Sequence, residues 1–210
     1  MQRAALAGIV LLLGFATACA GPRQSDLSSQ GLNRGPLLPP TPVEGWEFLA
    51  TAADAGNGVW VAGQPSAADL RRFAADGGSL VVCLRTPEEM DDRARVPFDE
   101  AALVGELGME YLHLPLGGDD YPYTPDAVEA LAEALALHDG RALLHCTVAW
   151  RASHLWTAYL VRYQGMPLSD AWEWGLAINL GELPVEGLLG GRLSPRIVPV
   201  AAEPLGTDTP

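Results

Sequence analysis

The chain contains no lysine; all 13 of its basic residues are arginine. That absence excludes Schiff-base chemistry and the phosphate-binding lysine of a P-loop. Cysteine is scarce, with 3 in 210 residues, too few and too far apart for a disulfide framework. His113, His138, His145 and His154 are scattered, and no Cys/His spacing suggests zinc. Neither a metal nor an organic cofactor is expected. Positive charge is outnumbered by 26 acidic residues, for a formal net charge of −13. This balance argues against nucleic acid or an anionic membrane surface as partner. The apolar stretch Ala4 to Phe15 is too short for a comfortable membrane span.

That stretch, preceded by Arg3, instead suits a targeting segment over residues 1–19. It ends Ala16-Thr17-Ala18-Cys19, which resembles a bacterial lipobox. On that reading Cys19 is lipidated, becomes the mature N-terminus and provides the only membrane attachment. The alternative is a secretory signal cleaved near Ala18 or Ala20. Ala20 in the place of an aspartate suggests the outer membrane, on its periplasmic side. Residues 20–45, rich in Pro, Gly and Ser, are expected to be a flexible tether. Residues 46–181 should form one globular domain, and 182–210, with recurrent proline and no periodicity, a loose tail.

Within the domain the pattern alternates. A strand at Val59 to Ala62 is followed by the turn Gly63-Gln64-Pro65. Ser66 and Asp69 form a capping-box signature for a helix that turns Leu70 and Phe73 inward. Residues 79–84 form a continuous apolar strand, 85–89 a loop, 99–107 a weak helix and 109–114 another strand. The loop around Asp119 and Asp120 leads to Thr124-Pro125, a helix start that places Val128, Leu131 and Leu135 on one face. Strand 141–145 precedes a helix over about 152–164. A last helix from Leu168 offers Trp172, Leu176 and Ile178 to the core. This is an α/β pattern, a mostly parallel central sheet of four to five strands flanked by helices. In such sheets ligands bind beyond the carboxyl ends of the strands. Arg85, the Asp119–Asp120 loop and Cys146 each follow a strand and so meet on one edge.

Residues 141–153 carry the most chemistry. An apolar strand ends in His145-Cys146, and four residues later comes Arg151 at the start of a helix. A helix N-terminus stabilises a thiolate and can cradle an oxyanion with its N–H groups. Arg151 adds a planar fork that matches two anion oxygens. The four intervening residues, Thr147-Val148-Ala149-Trp150, include no glycine, so a positive φ among them is expected to be costly.

Four segments together resemble the cysteine-dependent phosphatases of dual-specificity type. More closely, they resemble the bacterial family related to the phosphatase-like domain of beta-lactamase-hydrolase-like proteins. They are Gly63-Gln64-Pro65, then Val81-Val82-Cys83-Leu84-Arg85 with Glu88-Glu89, then residues 108–115, and His145-Cys146 with Arg151. The resemblance implies that Cys146 forms a cysteinyl-phosphate and that Arg151 holds the phosphate oxygens. Asp119 or Asp120, with Asp119 slightly ahead, would be the general acid. Thr147, Val148, Ala149 and Trp150 would wrap the phosphate, and Ser153 would assist the thiolate. Arg85 would either steer anions or pair with Glu88 or Glu89. Cys83 belongs to the core, or forms a protective disulfide with Cys146 should their strands be neighbours. The substrate would be a phosphorylated protein or a small phosphate ester, the enzyme a monomer. Two alternatives stay open. Four residues between Cys and Arg also occur in rhodanese-type sulfurtransferases, and a loop without glycine suits a phosphate-binding module that does not turn over.

Overall fold

A computed structural model describes residues 37–139, 141–180 and 184–191. The targeting segment, Cys19 and most of the tether and tail lie outside the described residues. Thirteen elements follow in chain order: β1 Thr41–Pro42, β2 Ala52–Asp54, β3 Val59–Ala62, α1 Ala67–Ala75, β4 Gly78–Cys83, α2 Pro87–Asp91, α3 Glu100–Glu106, β5 Glu110–His113, α4 Pro125–Leu137, β6 Arg141–His145, α5 Trp150–Tyr163, α6 Leu168–Ile178 and α7 Pro184–Leu189.

The strands form one sheet in the order β1-β2-β3-β6-β4-β5. The last four in that order are parallel, while β1 and β2 extend the sheet antiparallel. The sequence pattern accounts for the parallel strands. The antiparallel pair raises the total to six, and it takes up the end of the expected tether: Thr41 lies opposite Asp54, and the Val43 N–H donates to Ala52 O at 2.9 Å.

Side chains alternate across the sheet and separate its two faces. Val82, Leu84, Leu144 and Cys146 face a core shared with α4 and α5, together with Ala171 and Ile178 of α6 and Leu188 of α7. Val81 and Leu143 face the opposite core, with Leu70 and Phe73 of α1 and Leu103 and Val104 of α3.

Four local features differ from the sequence reading. Residues 85–89 are not all loop: Thr86 and Glu89 form a complete capping box on the short helix α2. Helix α5 begins at Trp150, two residues early, which brings Arg151 into its first turn. The expected loose tail contains α7, whose Val185 and Leu188 are fully buried. On α6 the buried stripe is Ala171, Gly175 and Ile178, whereas Leu176 is 54% exposed and Trp172 half-buried. The cause is close helix packing: a Cβ on Gly175 would strike the Thr157 hydroxyl of α5.

Candidate active site

Cys146 leaves the end of β6 with its backbone N–H donating to Ala62 O at 3.3 Å. It is 1% exposed. The loop after it is pinned on both sides. Thr147 O accepts from the Gln64 N–H at 3.0 Å, and Val148 pairs across to Gly63. The Asn179 side-chain amide donates to Val148 O. Residue 63 must be glycine for steric reasons, because a Cβ there would lie on top of Leu49 O. The Gly-Gln-Pro motif is thus the outer wall of the loop.

The loop turns into α5 at Ala149, which has φ 65 and ψ −7. The expected positive φ is present, and an alanine adopts it. Alanine pays about 1–2 kcal/mol for this left-handed conformation, against little for glycine. As N-cap of α5, Ala149 makes no side-chain cap. The first N–H groups of the helix lack intrahelical acceptors by construction, and an anion is the natural group to meet them.

Arg151 is fixed by a carboxylate that the sequence reading grouped with Arg85. Its Nη2 and Nη1 donate to the two oxygens of Glu89 at 2.7 and 2.8 Å. Nη1 also reaches Leu116 O at 2.8 Å and Leu84 O at 3.2 Å, and the Thr147 hydroxyl donates to Glu89 at 3.1 Å. Burial alone would raise the Glu89 carboxyl, but Arg151 and the Thr86 N–H outweigh it and hold the group at about 2. Burial would likewise lower the Arg151 guanidinium, and Glu89 and Cys146 raise it instead. The fork is therefore a permanent cation of fixed orientation beside the cysteine.

Behind the loop lies a second, fully enclosed network. His145 is 0% exposed, and its Nε2 lies 2.9 Å from a Glu100 oxygen. The Gln64 amide donates to the other Glu100 oxygen at 2.5 Å, and Arg85 donates to Gln64 Oε1 at 2.6 Å. Desolvation would lower His145, yet Glu100 raises it well above its ordinary value. Burial would raise Glu100, and His145 and Gln64 lower it. The pair is an imidazolium–carboxylate contact. Cys83, Glu100 and His145 offer donor atoms within 4.8 Å of one another. The 2.9 Å contact inside that group is hydrogen-bond spacing, closer than the roughly 3.3 Å or more between ligands on a tetrahedral metal with bonds of about 2.0–2.3 Å.

Other expected site residues fall elsewhere. Arg85 is 1% exposed, bonded to Gln64 and to Glu89 O at 2.9 Å, so it braces the site and does not steer anions. Ser153 is fully buried, and its hydroxyl points to Trp150 O and Asn179 O, each at 2.9 Å. A hydroxyl has one proton, so it ties α5 to the segment after α6 and has none left for the thiolate. Trp150 packs on His154 with ring centroids 4.7 Å apart, and Val148 is 39% exposed at the surface of the loop. Cys83 is the register partner of His145, which places it on the face opposite Cys146; both thiols are free. Neighbouring strands are therefore not enough for a disulfide here.

The Asp119–Asp120 turn is anchored beside Arg151. Leu116 O accepts from the guanidinium, and a Cβ on Gly117 would lie 3.5 Å from Arg151 Nη1. The turn closes through the Gly117 N–H donating to Tyr121 O at 2.7 Å, with Asp119 and Asp120 exposed at its tip. Tyr123 was not anticipated from the sequence. It is half-buried, it packs on the core that contains Cys146 and Ala149, and its phenol is electrostatically linked to Arg151, Cys146 and Glu89. Three residues beyond Asp120, it carried no motif that could have identified it.

Known proteins share this architecture. A DUF442 phosphatase candidate from Shewanella putrefaciens CN-32 superposes with a TM-score of 0.52 at 23% identity, covering 68% of this chain and 90% of that one. Tk-PTP in its active form gives 0.51 at 20% identity, over 63% and 91% of the two chains. PTPMT1 in complex with PI(5)P gives 0.53 at 16%, over 63% and 88%. At these identities the likeness is one of fold. No curated protein matches the sequence. The model of the beta-lactamase hydrolase-like protein, phosphatase-like domain, matches residues 55–160, from the turn between β2 and β3 into α5. With half of its length inside that match and the motif residues assembled at one sheet edge, the chain belongs to this phosphatase-like family.

Proposed function

We propose that the chain is an exported, lipid-anchored phosphomonoester hydrolase that works through a cysteinyl-phosphate on Cys146. One observation carries this reading: a short loop joins a buried cysteine at the end of β6 to a helix N-terminus without a side-chain cap, and Arg151, held by Glu89, is close enough to Cys146 to feel its charge. The helix end and the guanidinium provide for the three equatorial oxygens of the phosphoryl group. Cys146 Sγ attacks phosphorus while the ester oxygen leaves with a proton supplied from the segment after β5. Water then hydrolyses the thiophosphate bond and returns the thiolate. Glu89 keeps Arg151 oriented, and the His145–Glu100 pair fixes the residue before the nucleophile. The substrate is a phosphorylated protein or a small phosphate ester.

The test is turnover of p-nitrophenyl phosphate. Wild-type protein should hydrolyse it and Cys146→Ser should not; equal rates would sink the reading. Export and anchoring rest on residues 1–19, and fatty-acid labelling that survives Cys19→Ala would remove the anchor from the proposal.

A further inference from the structure

We propose that Tyr123 is a catalytic residue whose phenolic O–H protonates the leaving-group oxygen, making the enzyme selective for aryl phosphomonoesters. The inference rests on the phosphatase reading and names the donor that the reading leaves open.

Three observations converge on Tyr123. The segment that carries it starts at Leu116, whose carbonyl accepts from Arg151 at 2.8 Å, and ends at Pro125, the first residue of α4. Its ring packs against the core cluster to which Leu116, Cys146 and Ala149 belong, and its phenol lies near enough to Cys146 and Arg151 to feel their charges. Its backbone is held in turn by α7: a Cβ on Gly187 would lie 2.5 Å from Tyr123 O, and one on Gly190 3.2 Å from the Pro125 ring. Asp119 and Asp120, the only carboxylates of the same segment, are exposed at the turn tip.

The charges that face the phenol come from each neighbouring element: Arg151 of α5, Cys146 at the end of β6 and Glu89 of α2. Burial raises the phenol above its ordinary value, Arg151 opposes that, and Cys146 and Glu89 reinforce it. The group therefore keeps its proton at neutral pH and is available as a donor. In the first step the Cys146 S–P bond forms and the P–O ester bond breaks. The phenol proton passes to the departing aryl oxide, which leaves as a phenol, and Tyr123 becomes a phenolate beside the Arg151 cation. In the second step water attacks phosphorus, the S–P bond breaks and the water proton restores the phenol. Donor and aryl leaving oxygen are then of the same chemical kind, and the proton passes from one phenol oxygen to another. An alkyl oxygen is far more basic, but a phenol is too weak an acid to match it with equal advantage over a carboxyl.

The experiment compares phenyl phosphate with p-nitrophenyl phosphate, whose leaving group needs little protonation, in wild type, Cys146→Ser and Tyr123→Phe. Orthovanadate affinity reports the phosphate cradle. Tyr123→Phe should lose on the order of 10²-fold in kcat on phenyl phosphate and only a few-fold on p-nitrophenyl phosphate, with vanadate affinity unchanged. Equal losses on the two esters overturn the assignment, as does loss of vanadate binding in Tyr123→Phe, which would make the residue a wall of the pocket. The same split in Asp119→Asn or Asp120→Asn, with Tyr123→Phe unaffected, returns the role to the carboxylate. Wild-type rates no higher than those of Cys146→Ser bring down the phosphatase reading and this one together, whereas an active wild type tests the inference alone.

Discussion

Ala149 places a left-handed residue in the loop after Cys146, without the glycine such a turn favours. Replacing it with glycine relieves about 1–2 kcal/mol of backbone strain and adds about 0.5–1 kcal/mol of unfolded-state entropy. Ala149→Gly should therefore stabilise the fold by up to about 1 kcal/mol, a rise of about 2–4 °C in Tm; a lower Tm in a thermal melt would show that the Cβ packs more favourably than the turn suffers. Glu89 makes the opposite case. Glu89→Gln removes the charge that orients Arg151 and leaves the guanidinium held only by neutral acceptors such as Leu84 O and Leu116 O, and turnover should fall by about 10- to 100-fold. Cys146 and Arg151 were legible in the sequence because the chain itself sets their spacing, six residues from β6 into α5. Glu89, 62 positions from Arg151, was visible only as part of an acidic pair, because nothing local says which carboxylate the fold delivers to the guanidinium. Ser153 misled for the converse reason: its neighbourhood in sequence is the loop, but its hydroxyl turns toward Asn179.

Among the helices, those with a full period were legible and the shortest were not. The stripe Val128, Leu131 and Leu135 on α4 is buried as its spacing predicts. Helix α2 has five residues and α7 six, too few for periodicity to register. The Thr86–Glu89 capping box was nevertheless present as a signature, without an apolar run behind it. Helix α7 lies beyond the family match and braces the segment that carries Tyr123. Gly187→Ala forces a Cβ to within 2.5 Å of the Tyr123 carbonyl unless something moves. It should cost about 1–3 kcal/mol and lower Tm accordingly. A melt unchanged from wild type would show that α7 yields without straining the segment.

For the whole molecule, the buried charges set the pH range of stability. Glu89 and Glu100 are both lowered from an unfolded value of 4.5, so their stabilisation is present above that pH and is lost as pH falls below it, toward about 2 in the case of Glu89. His145 is raised from 6.5, so its contribution is complete below 6.5 and is lost only as pH climbs through its higher folded value. Urea unfolding should thus show a plateau from about pH 5 to 6.5, with a decline on either side. Steadily rising stability from pH 5 to 9 would contradict a charged His145. The α/β alternation revealed the parallel sheet but not its strand order, since β6 pairs with partners about 60 to 80 positions earlier in the chain. That order bears on biosynthesis. Strands β3 and β4 never touch; β6 is the wedge that joins them. Until residue 145 is available, the Val-Trp-Val-Ala of β3 and the Leu-Val-Val-Cys of β4 remain open apolar edges, the kind of surface that chaperones hold and that aggregates when released. The segment that completes the sheet is also the one that ends at Cys146, so a nascent chain positions its proposed nucleophile only as the sheet closes.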